Sequence, residues 1–246
     1  TWSPPTASGL LVLYLVTGLG MVGFADDWTK ISKARSLGLN SKAKLAGQTL
    51  VGVSFAILSF QFPDDQGVTP ASQAISFLRD ISWLNLPIWL AVIWIVLVIA
   101  SWSNAANLTD GLDGLATGAS AMVFAAYAAV NFWQNNQSCS TLSTSGPQCY
   151  WVRDPRDLAL VSLALAGACF GFLWWNASPA KIFMGDTGSL AIGGGFAALS
   201  IFTRTELLML IVAGLFLVIT LSVVLQVGRN KATKSKRLFK MATLHQ

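Results

Sequence analysis

Apolar and polar residues follow one another along this chain in long blocks rather than in short alternation. Seven apolar blocks lie at about 6 to 25, 45 to 62, 87 to 103, 115 to 133, 158 to 175, 188 to 203 and 206 to 227. A helix of about 20 residues reaches some 30 Å, the thickness of a bilayer's hydrocarbon core, so each block predicts a membrane-spanning helix. The sixth is short and rich in glycine. Strands of a membrane barrel would read as alternating segments of about 10 residues, and no such pattern is present. The predicted fold is all-α, a polytopic integral membrane helical bundle with about seven transmembrane helices. Between the blocks, apolar positions at Ala74, Ile75, Phe77, Leu78, Ile81 and Leu84 predict a short amphipathic helix over 71 to 84, lying on the membrane surface. The polar segment from Gln134 to Asp157 reads as irregular.

Composition agrees with this pattern. The chain of 246 residues is 54% apolar and 11% charged, where a soluble domain carries about a quarter charged residues. Its net charge of +5 is not a nucleic-acid signal, because the basic residues are sorted by side of the membrane. Twelve of the 16 Lys and Arg lie in the segments after the first, third, fifth and seventh blocks, whereas Arg79, Arg153, Arg156 and Arg204 lie on the other side. Cationic loops stay inside, so these odd segments face the cytoplasm. No basic stretch followed by a short apolar run and a cleavage site opens the chain, and it starts at Thr1, which reads as a fragment. Three cysteines are too few for a disulfide framework or a zinc ribbon. Cys139 and Cys149 share one outer loop and can bridge there if it meets an oxidising compartment, while Cys169 falls inside a block as packing.

The acids carry the chemistry. On the cytoplasmic side they are Asp26, Asp27, Asp110, Asp113 and Asp186, each next to the end of a block. A merely solvated face would mix Asp and Glu among its lysines. Helix parity alone brings these five to one membrane face, and acids at such positions are costly unless they serve a function. Asp26 and Asp27 are adjacent, and two neighbouring carboxylates call for a cation or a shifted pKa, as in a metal site or a general base. Asn107, Asp110 and Asp113 are spaced by three, so on a helix they form one polar stripe, with Gly111 and Gly114 as the points where a helix would break. Such a stripe suits a hydrated Mg2+ or a phosphate-sugar ligand; its ordinary alternative is a polar turn. In Phe183-Met184-Gly185-Asp186-Thr187-Gly188-Ser189 an Asp sits between glycines at a helix start, where backbone N–H groups are free for phosphate. Gly18-Leu19-Gly20-Met21-Val22-Gly23 matches a dinucleotide fingerprint, but it lies in an apolar block with no preceding strand and reads as close helix packing. Lys30 and Lys42 to Lys44 are placed for lipid headgroups or a substrate phosphate, although most of the 12 basic residues on this side read as doing no more than fixing topology.

Four segments, Gly23-Phe24-Ala25-Asp26-Asp27, Ser41-Lys42-Ala43-Lys44-Leu45-Ala46-Gly47-Gln48, Asn104 through Ala116, and Phe183 through Ser189, closely resemble the phospho-N-acetylmuramoyl-pentapeptide transferases of the polyprenyl-phosphate N-acetylhexosamine-1-phosphate transferase superfamily. Ser222 to Gly228 and Lys236 to Ala242 extend the resemblance to the tail. It implies a bacterial inner-membrane enzyme of about ten spans, of which 1 to 246 would be a single membrane-embedded transferase domain cut at both ends and inactive alone. The implied reaction moves phospho-MurNAc-pentapeptide from UDP-MurNAc-pentapeptide to undecaprenyl phosphate, giving lipid I and UMP, with Mg2+ as cofactor. A homodimer is compatible with it. By position, Asp26, Asp27 and Asp186 match the family's catalytic aspartates, with Asp186 the metal ligand. Lys30, Lys42, Asn107, Asp110, Asp113, Phe183, Gly185, Ser189, Gln226 and His245 fall where the family binds substrate, Phe183 stacking on the uracil. The tail departs from the family, whose Ala-Pro and histidine cluster is here Ala242-Thr243-Leu244-His245-Gln246. The nearest alternative is a sister transferase that makes polyprenyl-diphospho-GlcNAc. A transporter with ion-carrying aspartates is the alternative from another class, and it predicts acids near mid-span.

Overall fold

Every apolar block forms helix in the computed structural model, which describes residues 5–33, 38–139 and 149–233, with the side chains of 230–233 outside the description. In chain order the elements are α1 (Ala7–Ser32), α2 (Ser41–Ser59), β1 (Ala74–Ser76), β2 (Asp80–Asn85), α3 (Ile88–Thr109), α4 (Leu115–Asn136), α5 (Pro155–Asn176), α6 (Gly185–Phe202), α7 (Glu206–Val212) and α8 (Gly214–Thr233). Among the described residues, α1, α3, α4 and α5 are each long and apolar enough to cross a membrane, and α7 with α8 would make a fifth such segment if the bent pair is counted as one span. The chain is a multi-pass membrane protein. Leu13, Met21, Leu97, Met122, Leu163 and Phe170 point outward from its helices, as a lipid-facing surface requires.

α6 is the centre. Each residue from Gly193 to Phe202 is buried, and a helix that is apolar all round belongs inside a bundle. Its Phe196 ring meets Phe124 of α4 at 5.0 Å, Phe216 of α8 at 5.1 Å and Trp102 of α3 at 6.2 Å, centroid to centroid. α1 closes the other side through small residues: a β-carbon on Gly18 would meet Val51 of α2, one on Gly20 would meet Ala191, and one on Gly23 would meet the backbone of Asp186. The glycine series is thus a packing seam and not a nucleotide loop.

Three expectations need correction. The segment 71 to 84 is a hairpin and not a surface helix: β1 and β2 pair antiparallel, Ala74 with Asn85 and Ser76 with Asp80. Side-chain bonds outweigh the helical spacing here, because the Asp80 carboxylate accepts from Ser72 at 2.7 Å and Ser76 at 2.6 Å and pairs with Arg204 at 2.7 Å. The block 206 to 227 is not one straight span; it bends by 87° between α7 and α8, where Ala213 leaves helical geometry just before Gly214. Finally, Asn107, Asp110 and Asp113 do not share a helix. α3 stops at Thr109 with Asp110 as its cap, and Gly114, at φ 76°, starts α4. In the outer loop, Cys139 and Cys149 are joined by a disulfide and Cys169 is free and buried.

Candidate active site

α1 runs past its apolar block to Ser32, so Asp26, Asp27 and Lys30 stand on regular helix, one turn and two turns beyond Gly23. Gly23 lies against the first turn of α6, and this contact delivers Asp186 to the pair. Asp27 closes the junction. Its carboxylate accepts from the backbone N–H of Asp186 at 3.3 Å, from the backbone N–H of Thr187 at 2.9 Å and from the Thr187 hydroxyl at 2.7 Å. Free N–H groups at a helix start attract an anion, so Asp27 caps α6 from a neighbouring helix. Gly185 turns the chain into α6 at φ 64°, and a β-carbon there would press on the Asp27 carboxylate. Asp26 is buried, with one oxygen accepting from the Leu39 N–H at 2.6 Å.

Two ammonium groups and one carboxamide complete the cluster. Lys30 Nζ lies 2.6 Å from Asp26, 3.2 Å from Asp27 and 3.1 Å from Asp186. Lys44 Nζ reaches Asp186 Oδ2 at 2.8 Å, and Asn107 Nδ2 donates to Asp186 Oδ1 at 2.7 Å. Burial alone would raise the Asp186 pKa, but side-chain bonding with Asp26, Lys44, Asn107 and Lys30 holds it well below the ordinary carboxylate range. Asp110 behaves in the opposite way. Burial first, then the charges of Asp186 and Asp27, push its carboxyl up to about 6 against a bond from the Gly185 N–H.

The donor set of the cluster suits a divalent cation. One oxygen from each of Asp26, Asp27 and Asp186 lies within 4.8 Å of the others, and three carboxylates face only two ammonium groups. Hard cations such as Mg2+ take oxygen ligands of this kind, usually one or two carboxylates with water or phosphate, so the residues fit.

Asp113 accepts from the Ala180 N–H at 3.0 Å, and Asn176 both donates to the Ile182 carbonyl at 3.0 Å and accepts from Thr117 at 2.6 Å. Together they pin the 177–184 loop, which presents an exposed Phe183 ring beside Asp186 in sequence. Asp113 therefore holds the loop and does not join the carboxylates. Ser189 donates within its own helix to the Gly185 carbonyl at 2.9 Å, and Gln226 is buried on α8. Asn104 bonds back to Ala100 at 2.7 Å. His245 lies outside the described residues.

Lys42 is exposed and on the other side of α2 from the cluster; Lys44 is the lysine that enters it. The sequence held a signal for this choice. Gln48, Val51, Gly52, Phe55 and Ser59 form the buried stripe of α2, and Lys44 extends that stripe by one turn whereas Lys42 does not. Thr187 was also missed, since nothing local marks a hydroxyl that caps across helices.

A family model described as glycosyl transferase family 4 matches residues 9–204. A phospho-N-acetylmuramoyl-pentapeptide-transferase of Cutibacterium acnes is 62% identical over 245 residues, covering 100% of this chain and 69% of that protein. Proteins of the same name from Beutenbergia cavernae and Nocardioides sp. are 58% and 59% identical, covering 98% and 100% of this chain and 68% and 70% of their own lengths. The matched span contains the whole carboxylate cluster.

Proposed function

This chain belongs to glycosyl transferase family 4, and from that premise we propose that it transfers phospho-MurNAc-pentapeptide from UDP-MurNAc-pentapeptide to undecaprenyl phosphate, forming lipid I and UMP. The observation that carries the reading is the convergence of Asp26, Asp27, Asp186, Lys30, Lys44 and Asn107 at the end of the bundle where α1 stops and α6 begins. We place this end at the cytoplasmic face of the bacterial plasma membrane. By the order of apolar blocks in the sequence, the connections that carry Asp26, Asp27 and Asp186 belong to the set that holds 12 of 16 basic residues, and the Cys139–Cys149 disulfide lies in a connection of the other set, where an oxidising compartment would favour it.

Phosphoryl transfer needs alignment and charge neutralisation more than covalent work from the protein. Mg2+ bound by Asp186, with Asp26 and Asp27 in reach, would neutralise charge on the donor pyrophosphate. Lys44 and Asn107 orient the two oxygens of Asp186, and Asp27 fixes α6 so that Asp186 cannot drift from α1. Asp27 is committed to that cap. Asp26 is left as the carboxylate that accepts the proton of the acceptor phosphate, and Phe183 offers an exposed face on which uracil can stack. Gln226 and Asp110 line the approach to nucleotide and phosphate in this reading.

The decisive assay supplies the full-length protein with undecaprenyl phosphate, Mg2+ and either UDP-MurNAc-pentapeptide or UDP-GlcNAc. UMP release is expected with the first donor only. Release with UDP-GlcNAc alone would assign the sister reaction, and no release with either would remove both. Within the same assay, Lys44→Ala is expected to lower kcat/KM by about tenfold or more, the loss of one charge-assisted hydrogen bond worth ~1.5–3 kcal/mol. Lys42→Ala should stay within about threefold of the parent, because its loss costs less than a kcal/mol at an exposed position. Equal losses in the two variants would contradict the assignment of Lys44.

A further inference from the structure

Lys30 stands in an unusual position. Its ammonium lies 2.6, 3.2 and 3.1 Å from three separate carboxylates, the same three whose oxygens form the candidate cation site. Lys44, in contrast, pairs with Asp186 alone among the described residues. An ammonium that bonds to all three groups uses the lone pairs a divalent cation would need, and the two positive charges would stand within a few ångströms of each other. The Lys30 side chain is also a third exposed, while that of Asp26 is almost wholly buried, so the lysine has a path outward that the carboxylate lacks.

We propose that Lys30 is a built-in counter-ion that competes with the divalent cation for the carboxylates of Asp26, Asp27 and Asp186, and that it swings out toward the incoming phosphate when the cation binds. The inference rests on the metal-site reading above. It gives Lys30 two successive partners: carboxylates first, which it keeps from repelling one another, and a substrate phosphate afterwards. The signature is a pair of effects with opposite signs. Removing the ammonium strengthens cation binding yet weakens turnover, whereas a plain substrate-binding lysine would leave cation binding alone.

The test uses the full-length protein in detergent without substrate, with Mn2+ as the probe in titrations followed by electron paramagnetic resonance. Lys30→Met should bind Mn2+ about tenfold tighter or more, as removal of a unit charge at this range predicts, and Lys44→Met should gain less. In the unmodified protein, Mg2+ should increase acylation of Lys30 by an amine-reactive reagent, read by mass spectrometry. Lys30→Gln repeats the titration with a polar side chain should the Met variant fail to fold. Unchanged or weaker Mn2+ binding in a folded Lys30 variant, or Lys30 labelling that Mg2+ leaves constant or lowers, overturns the competition while the metal site stands. Absence of Mn2+ binding in the parent and in both variants overturns the metal-site reading itself.

Discussion

Asp26→Asn is expected to lower kcat about 1,000-fold with little change in melting temperature, whereas Asp27→Asn loses activity and stability together; general bases contribute roughly this much to rate. The difference follows from what each carboxylate accepts. One oxygen of Asp26 takes the Leu39 N–H and the other pairs with Lys30. An asparagine can keep the first bond through its carbonyl, and Lys30, a third exposed, can turn away from the new NH2 group, so the fold holds while the basic oxygen is gone. Both oxygens of Asp27 hold donors at this junction: Lys30 and the Asp186 N–H share one, and the two Thr187 donors share the other. An NH2 group in either place sets donor against donor at the start of α6, a mismatch worth about 1–3 kcal/mol. UMP release and thermal unfolding in detergent, measured on both variants, separate the two roles. Two variants with the same profile, or an Asp26→Asn enzyme within tenfold of the parent, would falsify the division.

The gathering of acids was legible in the sequence, for a topological reason. Helices that cross a slab in alternation return every second connection to the same face, so Asp26, Asp27, Asp110 and Asp186 had to share one side. What parity does not contain is the lateral arrangement. Whether Lys42 or Lys44 turns inward depends on which face of α2 packs on α3, and only the buried stripe from Gln48 to Ser59 records it. The polar stripe at 107, 110 and 113 failed because spacing by three assumes an unbroken helix, and α3 ends at Thr109. The hairpin at 74 to 85 was hidden for a different reason: Arg204 and Glu206, far along the chain, hold Asp80 and the Ser76 N–H. Such partners leave no mark on local periodicity. The packing of Gly18, Gly20 and Gly23 was readable because glycines at these spacings in an apolar helix have few other uses.

Gly23→Ala is expected to reduce kcat by about 100-fold and to destabilise the fold by ~1–3 kcal/mol, the usual cost of overfilling a tight contact. The added β-carbon would collide with the Asp186 carbonyl oxygen and would lie 2.5 Å from its carbonyl carbon and 2.7 Å from the Thr187 Cα. These are backbone atoms of a helix that is buried on every side further along, so they cannot swing aside as a side chain would. The first turn of α6 must therefore lift away from α1. Lifting it stretches the Asp27 bonds to the Asp186 and Thr187 N–H groups and draws the Asp186 carboxylate off Lys30. A misplacement of about 1 Å at reacting groups costs on the order of 100-fold in rate, which sets the size of the effect. The comparison variant is Gly20→Ala, whose β-carbon meets Ala191 at 3.5 Å, an ordinary contact. Gly20→Ala should retain activity within about threefold, since a substitution that neither overfills nor strains a site changes stability by under ~1 kcal/mol. If Gly23→Ala instead matches Gly20→Ala in both UMP release and unfolding temperature, α1 and α6 do not set the position of Asp186. The cluster would then owe its geometry to the Lys30, Lys44 and Asn107 side chains alone.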